Sequence, residues 1–360
     1  MLEIENFRSI GKVLMKDTNY TVLTGDNEIL LKDICDAVDI YFNDRRISKC
    51  DKEINDKILV IQNYFSKEKE KISSKCSILI EEERINEEIQ LGAKTVLYSA
   101  FNTFFKNTLL TEPLIMTINS LIKDLNLEEN IVSFNEELTK YSDIKFKIEL
   151  EEMSITDFIK KIKIETEFNE KDINLLSLNS FEKLKLQIGI AEKNTNSIGK
   201  DKIYIFVFPE KNLSMSELKK LKIFFTKIAE KNKIIIATFS KYFFDFSNLD
   251  NINIYYENKL LNNFSEEEFI YELEMSYPVL KSKDEIFSRL KFVLSQYLSE
   301  CLFNKTITNK FLDLEDILYI ENFEFIFLLL FYLNKCEIPY IKNLIYDDNS
   351  PFSEYIKEKL

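Results

Sequence analysis

Two short apolar runs with an amphipathic helix between them constrain the fold of this chain more than any other feature. The runs are Ile203–Phe208 and Ile234–Thr238, and both are continuous rather than alternating. Such runs are typical of strands that are covered on both faces, as in parallel sheets. The intervening helical pattern over residues 216–231 is the crossover that joins two parallel strands. The sequence therefore predicts an α/β fold with a parallel or mixed sheet.

The rest of the chain divides into three parts around these runs. Residues 1–41 show short strand patterns, then a turn at Gly25–Asn27 and a helix pattern. After Asn263 the pattern is helical to the end. We therefore predict a head over residues 1–263, including a helical insertion at about 81–140, and a C-terminal all-helical extension over residues 264–360.

Composition excludes much of ordinary enzymology. The 360 residues include no histidine, which removes Ser-His-Asp and Cys-His nucleophiles and every His-ligated metal site. Only five glycines are present, too few for a glycine-rich phosphate loop. The longest apolar run, Phe325–Leu333, is far shorter than the roughly 20 residues that a membrane helix needs. With scattered cysteines and no signal-peptide pattern, we expect a cytoplasmic protein without a membrane partner.

The net charge of −13 is unevenly distributed along the chain. Residues 265–360 hold 18 acidic and 10 basic residues, so most of the acidic excess lies in that block. A basic face can therefore exist elsewhere, and the overall charge does not exclude nucleic acid as a partner.

A strand–turn–helix over Thr21–Asn27 stands where an ABC-type ATPase head carries its phosphate loop. In the pattern GxxxxGK[ST], Gly25 takes the first glycine position. Leu30 and Leu31 take the second glycine and the lysine positions, and Lys32 falls one place late. Neither leucine can approach a phosphate closely or neutralise it.

Three further stretches follow in the order of such a head, each without its chemical residues. Leu176–Lys183 is similar to the ABC signature but lacks its glycines. Aligned on Pro209, the Walker B aspartate and glutamate positions hold Val207 and Phe208, and Phe239 stands at the switch histidine. We therefore expect no enzyme activity and no nucleotide cofactor, because nothing remains to stabilise a transferring phosphoryl group. The alternative is an unrelated α/β domain with two buried strands.

A degenerate head with a helical insertion resembles the CRISPR-associated adaptation protein of type II-A systems, the Csn-two family in its long form. The resemblance is carried by Lys145–Thr166, by Lys202–Phe208 with Leu213–Leu221, and by Ile234–Tyr256. It covers roughly residues 1–260, and the helical block that follows corresponds to the long-form extension.

The resemblance implies a non-catalytic, ring-shaped homotetramer whose positive central hole takes double-stranded DNA, preferentially by its ends. It implies a role in spacer acquisition beside the CRISPR integrase proteins and the RNA-guided effector nuclease. A different class is an inactive ATPase-like subunit of a structural-maintenance or phage-defence complex, in which the head only dimerises. Neighbouring genes, or binding to linear against closed-circular DNA, would separate the two.

Basic clusters supply the candidate phosphate contacts, since threading DNA needs lysines and no base readout. Each cluster could equally be a solvated helix face. The DNA-binding candidates are Lys160, Lys161, Lys163, Lys219, Lys220, Lys222, Arg45 and Arg46.

Carboxylates before the Ser154 helix are the candidate metal ligands. They are Glu149, Glu151 and Glu152, with Asp143 nearby. The resemblance implies calcium at such a cluster, and carboxylate oxygens suit that ion. A solvated turn, or a complement to the helix N-terminus, is the alternative.

Overall fold

The structure is a computed structural model of the chain. It describes residues 1–54, 57–72, 75–90, 92, 95–140, 149–162, 164, 166–168, 171–193, 201–298, 312–313, 322–338, 340–341 and 350–359. The chain divides into two compact units, one of Met1–Glu81 with Gly199–Leu360 and one of Glu82–Ile198. The C-terminal residues therefore share a unit with the sheets, and the boundary at residue 263 stays a prediction.

Strands and helices are numbered here in chain order. The strands are β1 (Leu2–Phe7), β2 (Ile10–Met15), β3 (Tyr20–Gly25), β4 (Val60–Asn63), β5 (Lys75–Glu81), β6 (Thr166–Phe168), β7 (Lys171–Ile173), β8 (Asp201–Val207), β9 (Lys233–Ala237), β10 (Ile252–Tyr256), β11 (Lys259–Leu260), β12 (Leu312–Asp313) and β13 (Tyr340–Ile341). The helices are α1 (Glu28–Phe42), α2 (Lys49–Ile54), α3 (Ile85–Glu88), α4 (Val96–Asn107), α5 (Thr111–Asn126), α6 (Glu129–Lys140), α7 (Ile155–Lys160), α8 (Ser180–Lys193), α9 (Met215–Ala229), α10 (Glu266–Ser276), α11 (Lys283–Val293), α12 (Phe323–Lys335) and α13 (Pro351–Lys359).

The main sheet of the first unit confirms the predicted α/β class. Its six strands run in the order β11-β10-β3-β9-β8-β5. All neighbours from β10 to β5 are parallel, and only β11 pairs antiparallel. The two apolar runs lie side by side, with Ile205 opposite Ile235, and both residues are buried. Continuous apolar sequence is needed here because both faces of the two strands are covered.

A second, smaller sheet of the first unit has the antiparallel order β2-β1-β4. One hydrophobic core joins side chains of both sheets with those of α1, including Leu31, Ile34 and Val38. Burying one such side chain stabilises the fold by about 1.5 to 3 kcal/mol. These contacts hold α1 against the sheet, and its N-terminal end lies at the carboxyl end of β3.

The second unit contains α3 to α8 and the hairpin of β6 and β7. Pro113 lies in the first turn of α5, where its missing N–H removes no helical bond. The side chains of Asn119 and Asn126 each bond both backbone groups of one residue, Met153 and Leu150 respectively, at 2.7 to 3.0 Å. These four bonds fix the segment before α7 against α5. Residues 145–148, at the start of a stretch that carries the family resemblance, lie outside the described residues.

Helices α10 to α13 make up most of the described C-terminal part, as the sequence predicts, together with the short pair β12 and β13. Glu324, at the start of α12, accepts ion pairs from Lys281 at 2.6 Å and Arg289 at 2.8 Å and a hydrogen bond from Tyr277. Burial and that hydrogen bond raise the pKa of Tyr277 above its usual value. Among the described residues, no helix has the length and apolar character needed to cross a membrane.

Candidate functional site

The loop between β3 and α1 is too short to enclose a phosphate. Only Asp26 and Asn27 separate Gly25 from the first helical residue. The Asn27 side chain accepts hydrogen bonds from the backbone N–H of Ile29 at 3.0 Å and Leu30 at 3.2 Å. A phosphate at a helix N-terminus needs such amides unoccupied. The helix therefore caps itself where a nucleotide-binding helix would receive its ligand.

Gly25 is required here by strand packing. A Cβ at this position would lie 2.2 Å from the carbonyl oxygen of Tyr255 in the neighbouring β10. The same oxygen accepts a hydrogen bond from the N–H of Asp26 at 3.2 Å. Strand packing alone therefore explains the glycine at this position, and no bound phosphate is needed to explain it.

Lys32, one place beyond the lysine position of a phosphate loop, points to a protein carboxylate. Its Nζ forms an ion pair with Glu81, a buried residue at the end of β5. Leu31 is fully buried in the core instead. Lys32 is thus engaged within the protein.

Two phenylalanines fill the positions of the catalytic glutamate and the switch histidine. The rings of Phe208 and Phe239 stack with centroids 5.2 Å apart and planes inclined by 10°. Phe208 is buried, has a φ of 48°, and donates its N–H to the carbonyl oxygen of Ala237 at 2.9 Å. The carboxyl edge of the sheet, where α/β proteins place their ligands, is closed here by an aromatic pair.

Glu210 is a buried carboxylate beside this pair that no sequence motif indicated. Its Oε1 accepts the N–H of Phe239 at 2.8 Å. Its Oε2 is buried and finds no hydrogen-bond partner among the described residues. Burial raises the pKa of the Glu210 carboxyl above its usual value, against the lowering effect of the Phe239 amide. In the sequence, only its position directly after Pro209, the residue on which the Walker B pattern is aligned, indicates Glu210.

A second group that no motif indicated lies around Arg8. Its guanidinium forms ion pairs with Asp33 at 2.6 Å, Asp36 at 2.7 Å and Asp51 at 2.8 Å. Asp33 and Asp36 are one turn apart on α1 and are both buried. This arrangement ties α1 to α2 and to the turn after β1. It is a structural cluster, because every carboxylate has a protein partner.

The first basic candidates lie at the end of α7. Ser154 caps this helix through reciprocal hydrogen bonds with Asp157. Lys160 is exposed and pairs with Asp157 at 3.3 Å, and Lys161 is exposed beside it. Lys163 lies outside the described residues. The structure therefore leaves two lysines accessible at this helix end.

The second basic cluster lies on α9, and its lysines point in different directions. Lys219 and Lys220 are exposed. Lys222 turns inward, and its Nζ donates to the Tyr20 hydroxyl at 3.1 Å and to the carbonyl oxygens of Phe243 at 3.1 Å and Phe244 at 3.2 Å. Burial lowers the pKa of Lys222 to about 8. The prediction that Lys222 contacts a phosphate is therefore wrong, because the N–H donors of its ammonium group are all used inside the protein.

The two arginine candidates also differ. Arg45 is exposed but forms an ion pair at 2.8 Å with Asp39, which is itself buried. Arg46 is exposed. A phosphate at Arg45 would have to compete with a buried carboxylate, so Arg46 is the better placed of the two.

The metal candidates are dispersed over an exposed segment. Glu149, Glu151 and Glu152 are all exposed, and Glu152 pairs with Lys123 at 3.1 Å. Asp143 lies outside the described residues. Within the described ranges, no three acidic or cysteine side chains are grouped so that they could hold an ion. The calcium site stays a prediction that depends on Asp143.

Together these features define an α/β protein with a self-capped helix start and a stacked aromatic pair at the carboxyl edge of its main sheet. No family model matches the chain, and no curated protein sequence is similar to it. Among solved structures, it is similar to Stu0660 of Streptococcus thermophilus, with a TM-score of 0.61 and 14% identity over 99% of each chain. At that identity the similarity shows a shared fold along the whole chain.

A second similar structure is an SMC head solved with the C-winged helix domain of ScpA. Its TM-score is 0.40 at 13% identity, and the match covers 72% of this chain and 94% of that one.

Proposed function

We propose that this protein is a non-catalytic, ring-forming protein that binds double-stranded DNA by its ends and assists CRISPR spacer acquisition in a type II-A system. Its partners there are the integrase proteins and the RNA-guided effector nuclease, and it acts in the cytoplasm. The proposal combines the sequence resemblance with the geometry of the loop between β3 and α1 and of the Phe208–Phe239 pair.

The observation that carries the proposal is the stacked pair of Phe208 and Phe239 at the two catalytic positions. An ATPase needs a carboxylate that positions water at the first of these positions and a switch histidine at the second. An aromatic pair excludes water and supplies no charge. What remains of the head is a rigid scaffold, and a scaffold of this kind serves to bind and to assemble.

Exposed lysines provide the means to bind DNA without reading its sequence. Lys160, Lys161, Lys219 and Lys220 are all accessible. Lysines that neutralise phosphates release counterions, so binding is independent of sequence and strongly dependent on salt. With about six such lysines engaged, the affinity falls roughly 10³-fold between 50 and 200 mM salt.

Calcium belongs to the proposal as a bridging ion held by carboxylates of the segment that contains Glu149, Glu151 and Glu152. Hard oxygen ligands at a protein surface suit calcium, and binding of that ion would gather side chains that are now dispersed. Titration of the purified chain with calcium, followed by mass measurement, tests this part by itself.

The experiment for the DNA function compares linear with closed-circular duplex of one sequence, over a series of salt concentrations. The tested variant is Lys160→Glu with Lys161→Glu. The matched control is Lys259→Glu with Lys283→Glu, two exposed lysines of the first unit that make no ion pair with a described residue. Mass and far-UV circular dichroism are recorded first, so that a misfolded variant is recognised.

The expected result is binding to the linear duplex alone, weakened in the tested variant and not in the control. Removal of one lysine that neutralises a phosphate lowers the salt slope by about one. Equal binding to closed circles contradicts the threaded ring. Absence of DNA binding in a folded protein favours the other class, an inactive ATPase-like subunit of a larger complex.

A further inference from the structure

Helix α10 presents an apolar stripe to solvent. Tyr271 and Met275 are 63% and 73% exposed, and they lie one turn apart on the same side of the helix. The opposite side is buried through Phe269, Ile270 and Leu273. Tyr271 and Met275 are therefore not needed to hold α10 in place, and large exposed side chains in a row indicate a contact surface.

Glutamates border this stripe on both sides. At 3.6 residues per turn, Glu267 and Glu274 fall on one side of the stripe and Glu268 and Glu272 on the other. The last two are engaged in their own chain, in the helix cap and in an ion pair. Glu267 and Glu274 form no ion pair with any residue that the structure describes. The surface is thus apolar in its centre and negative at its rim.

Helix α9 of the same unit presents the opposite charge, with Lys219 between two exposed apolar side chains. Met215 and Ile223 are 60% and 59% exposed. Lys219, Lys220 and Lys227 project from the same side, are exposed, and make no ion pair with a described residue. The buried side of the helix consists of Leu218, Leu221, Phe225 and Ile228. Here too the outward apolar side chains have no role within the chain.

We propose that the α10 surface of one copy of this chain docks on the α9 surface of a second copy. The two surfaces complement each other in both charge and apolar character, and complementary charge fixes register and excludes wrong partners. The contact can form twice around a two-fold axis, or it can repeat head to tail and close a ring or extend a chain. The inference rests on the oligomer of the proposed function and names the contact that builds it.

DNA is the competing occupant of α9, since Lys219 and Lys220 are also candidate phosphate contacts. A DNA phosphate would contact these lysines but not Met215 and Ile223, which lie among them. A protein surface that is both apolar and negative would contact the lysines and the two apolar side chains together. In this arrangement Lys160 and Lys161 remain for DNA.

The test is a charge exchange followed by light scattering without DNA. One variant carries Glu267→Lys and Glu274→Lys, and the other carries Lys219→Glu and Lys220→Glu. Each is measured alone and in an equimolar mixture, beside the unmodified chain. All substitutions are exposed helix positions, so folding should persist, and circular dichroism verifies it. Lys52→Glu with Lys259→Glu is the control for a change of net charge.

The expected result is a mass about twofold or more lower for each variant alone, because like charges then face each other across the contact. The mixture recovers a larger mass, since each reversed surface meets its complement. Unchanged mass in both variants, or a mixture that does not recover, overturns the inference. A monomeric unmodified chain overturns it as well, while its binding to linear DNA would leave the DNA part of the proposed function in place. If the variant with Lys219→Glu and Lys220→Glu keeps its mass but binds DNA more weakly in a separate binding experiment, α9 is assigned to DNA.

Discussion

Phe208 and Phe239 stack face to face at the carboxyl ends of adjacent parallel strands, with centroids 5.2 Å apart. In an active head these two positions would hold a catalytic base and a switch histidine. In this protein the two rings pack against each other at the sheet edge, and aromatic pairs of this kind contribute about 0.5 to 1.5 kcal/mol beyond the area they bury.

We predict that the protein neither hydrolyses ATP nor binds it tightly. The phosphate-facing amides of α1 are occupied by Asn27, and Lys32 is paired with Glu81. Magnesium-dependent phosphate release is expected to equal that of a mock purification, and ATP is expected to leave the melting temperature unchanged. Phosphate release that co-purifies with the protein through a second column would contradict this.

Phe208→Ala is expected to destabilise the protein by about 3 to 5 kcal/mol, because it removes a buried ring and leaves a cavity. Phe208→Gly should be no worse than Phe208→Ala, although glycine elsewhere in a strand or helix is about 0.5 to 1 kcal/mol less favourable than alanine. The φ of 48° at this residue is strained for any side chain and free for glycine. Urea unfolding of both variants measures the order, and a clearly less stable glycine variant contradicts the argument.

Glu210 makes stability depend on pH. Its pKa is raised by burial, so the folded protein holds a proton that the unfolded chain has released. Relative to Glu210→Gln, the native protein should therefore be most favoured below about pH 4.5 and lose that advantage as pH rises through the folded pKa. Unfolding curves of both proteins between pH 4 and pH 8 provide the comparison. A difference that does not vary with pH would show that folding leaves the pKa of this carboxyl unchanged, and would contradict the prediction.

Lys222→Met is expected to lower stability by about 1 to 3 kcal/mol, since the carbonyl oxygens of Phe243 and Phe244 lose a charged donor. Lys220→Met, the exposed control on the same helix, should change stability by no more than about 0.5 kcal/mol. DNA affinity per folded molecule should be unaltered in Lys222→Met. Weakened DNA binding with native stability would restore Lys222 to the basic surface.

Arg8→Met is expected to destabilise the protein by about 3 to 5 kcal/mol, because two buried aspartates lose the same partner. Arg8→Lys should recover only part of this, since one ammonium cannot replace a planar guanidinium that reaches three carboxylates. Adding Asp36→Asn to Arg8→Met should regain part of the stability, because it removes a buried negative charge that has lost its guanidinium partner. Chemical denaturation of the three variants tests the order, and equal stability of Arg8→Met and the native chain would contradict the role of the cluster.

The amino-acid sequence alone determined the parallel core and the start of the helix at Ser154. Continuous apolar runs predict doubly covered strands, and the Ser154–Asp157 spacing predicts a capping box that the structure contains. These features depend on residue identity and on interactions within a few residues. For that reason they can be read from a linear chain.

Only the tertiary structure decided which lysines face solvent and which carboxylates are buried. Lys222 follows Leu218 by one turn, at the border of the buried face of α9, and Tyr20, which lies 202 residues away in the chain, sets its direction. Arg8 meets Asp51 across 43 residues. Such pairings follow from the packing of separate elements, where burial forces a charged group to find a partner, and local sequence patterns do not encode that partner.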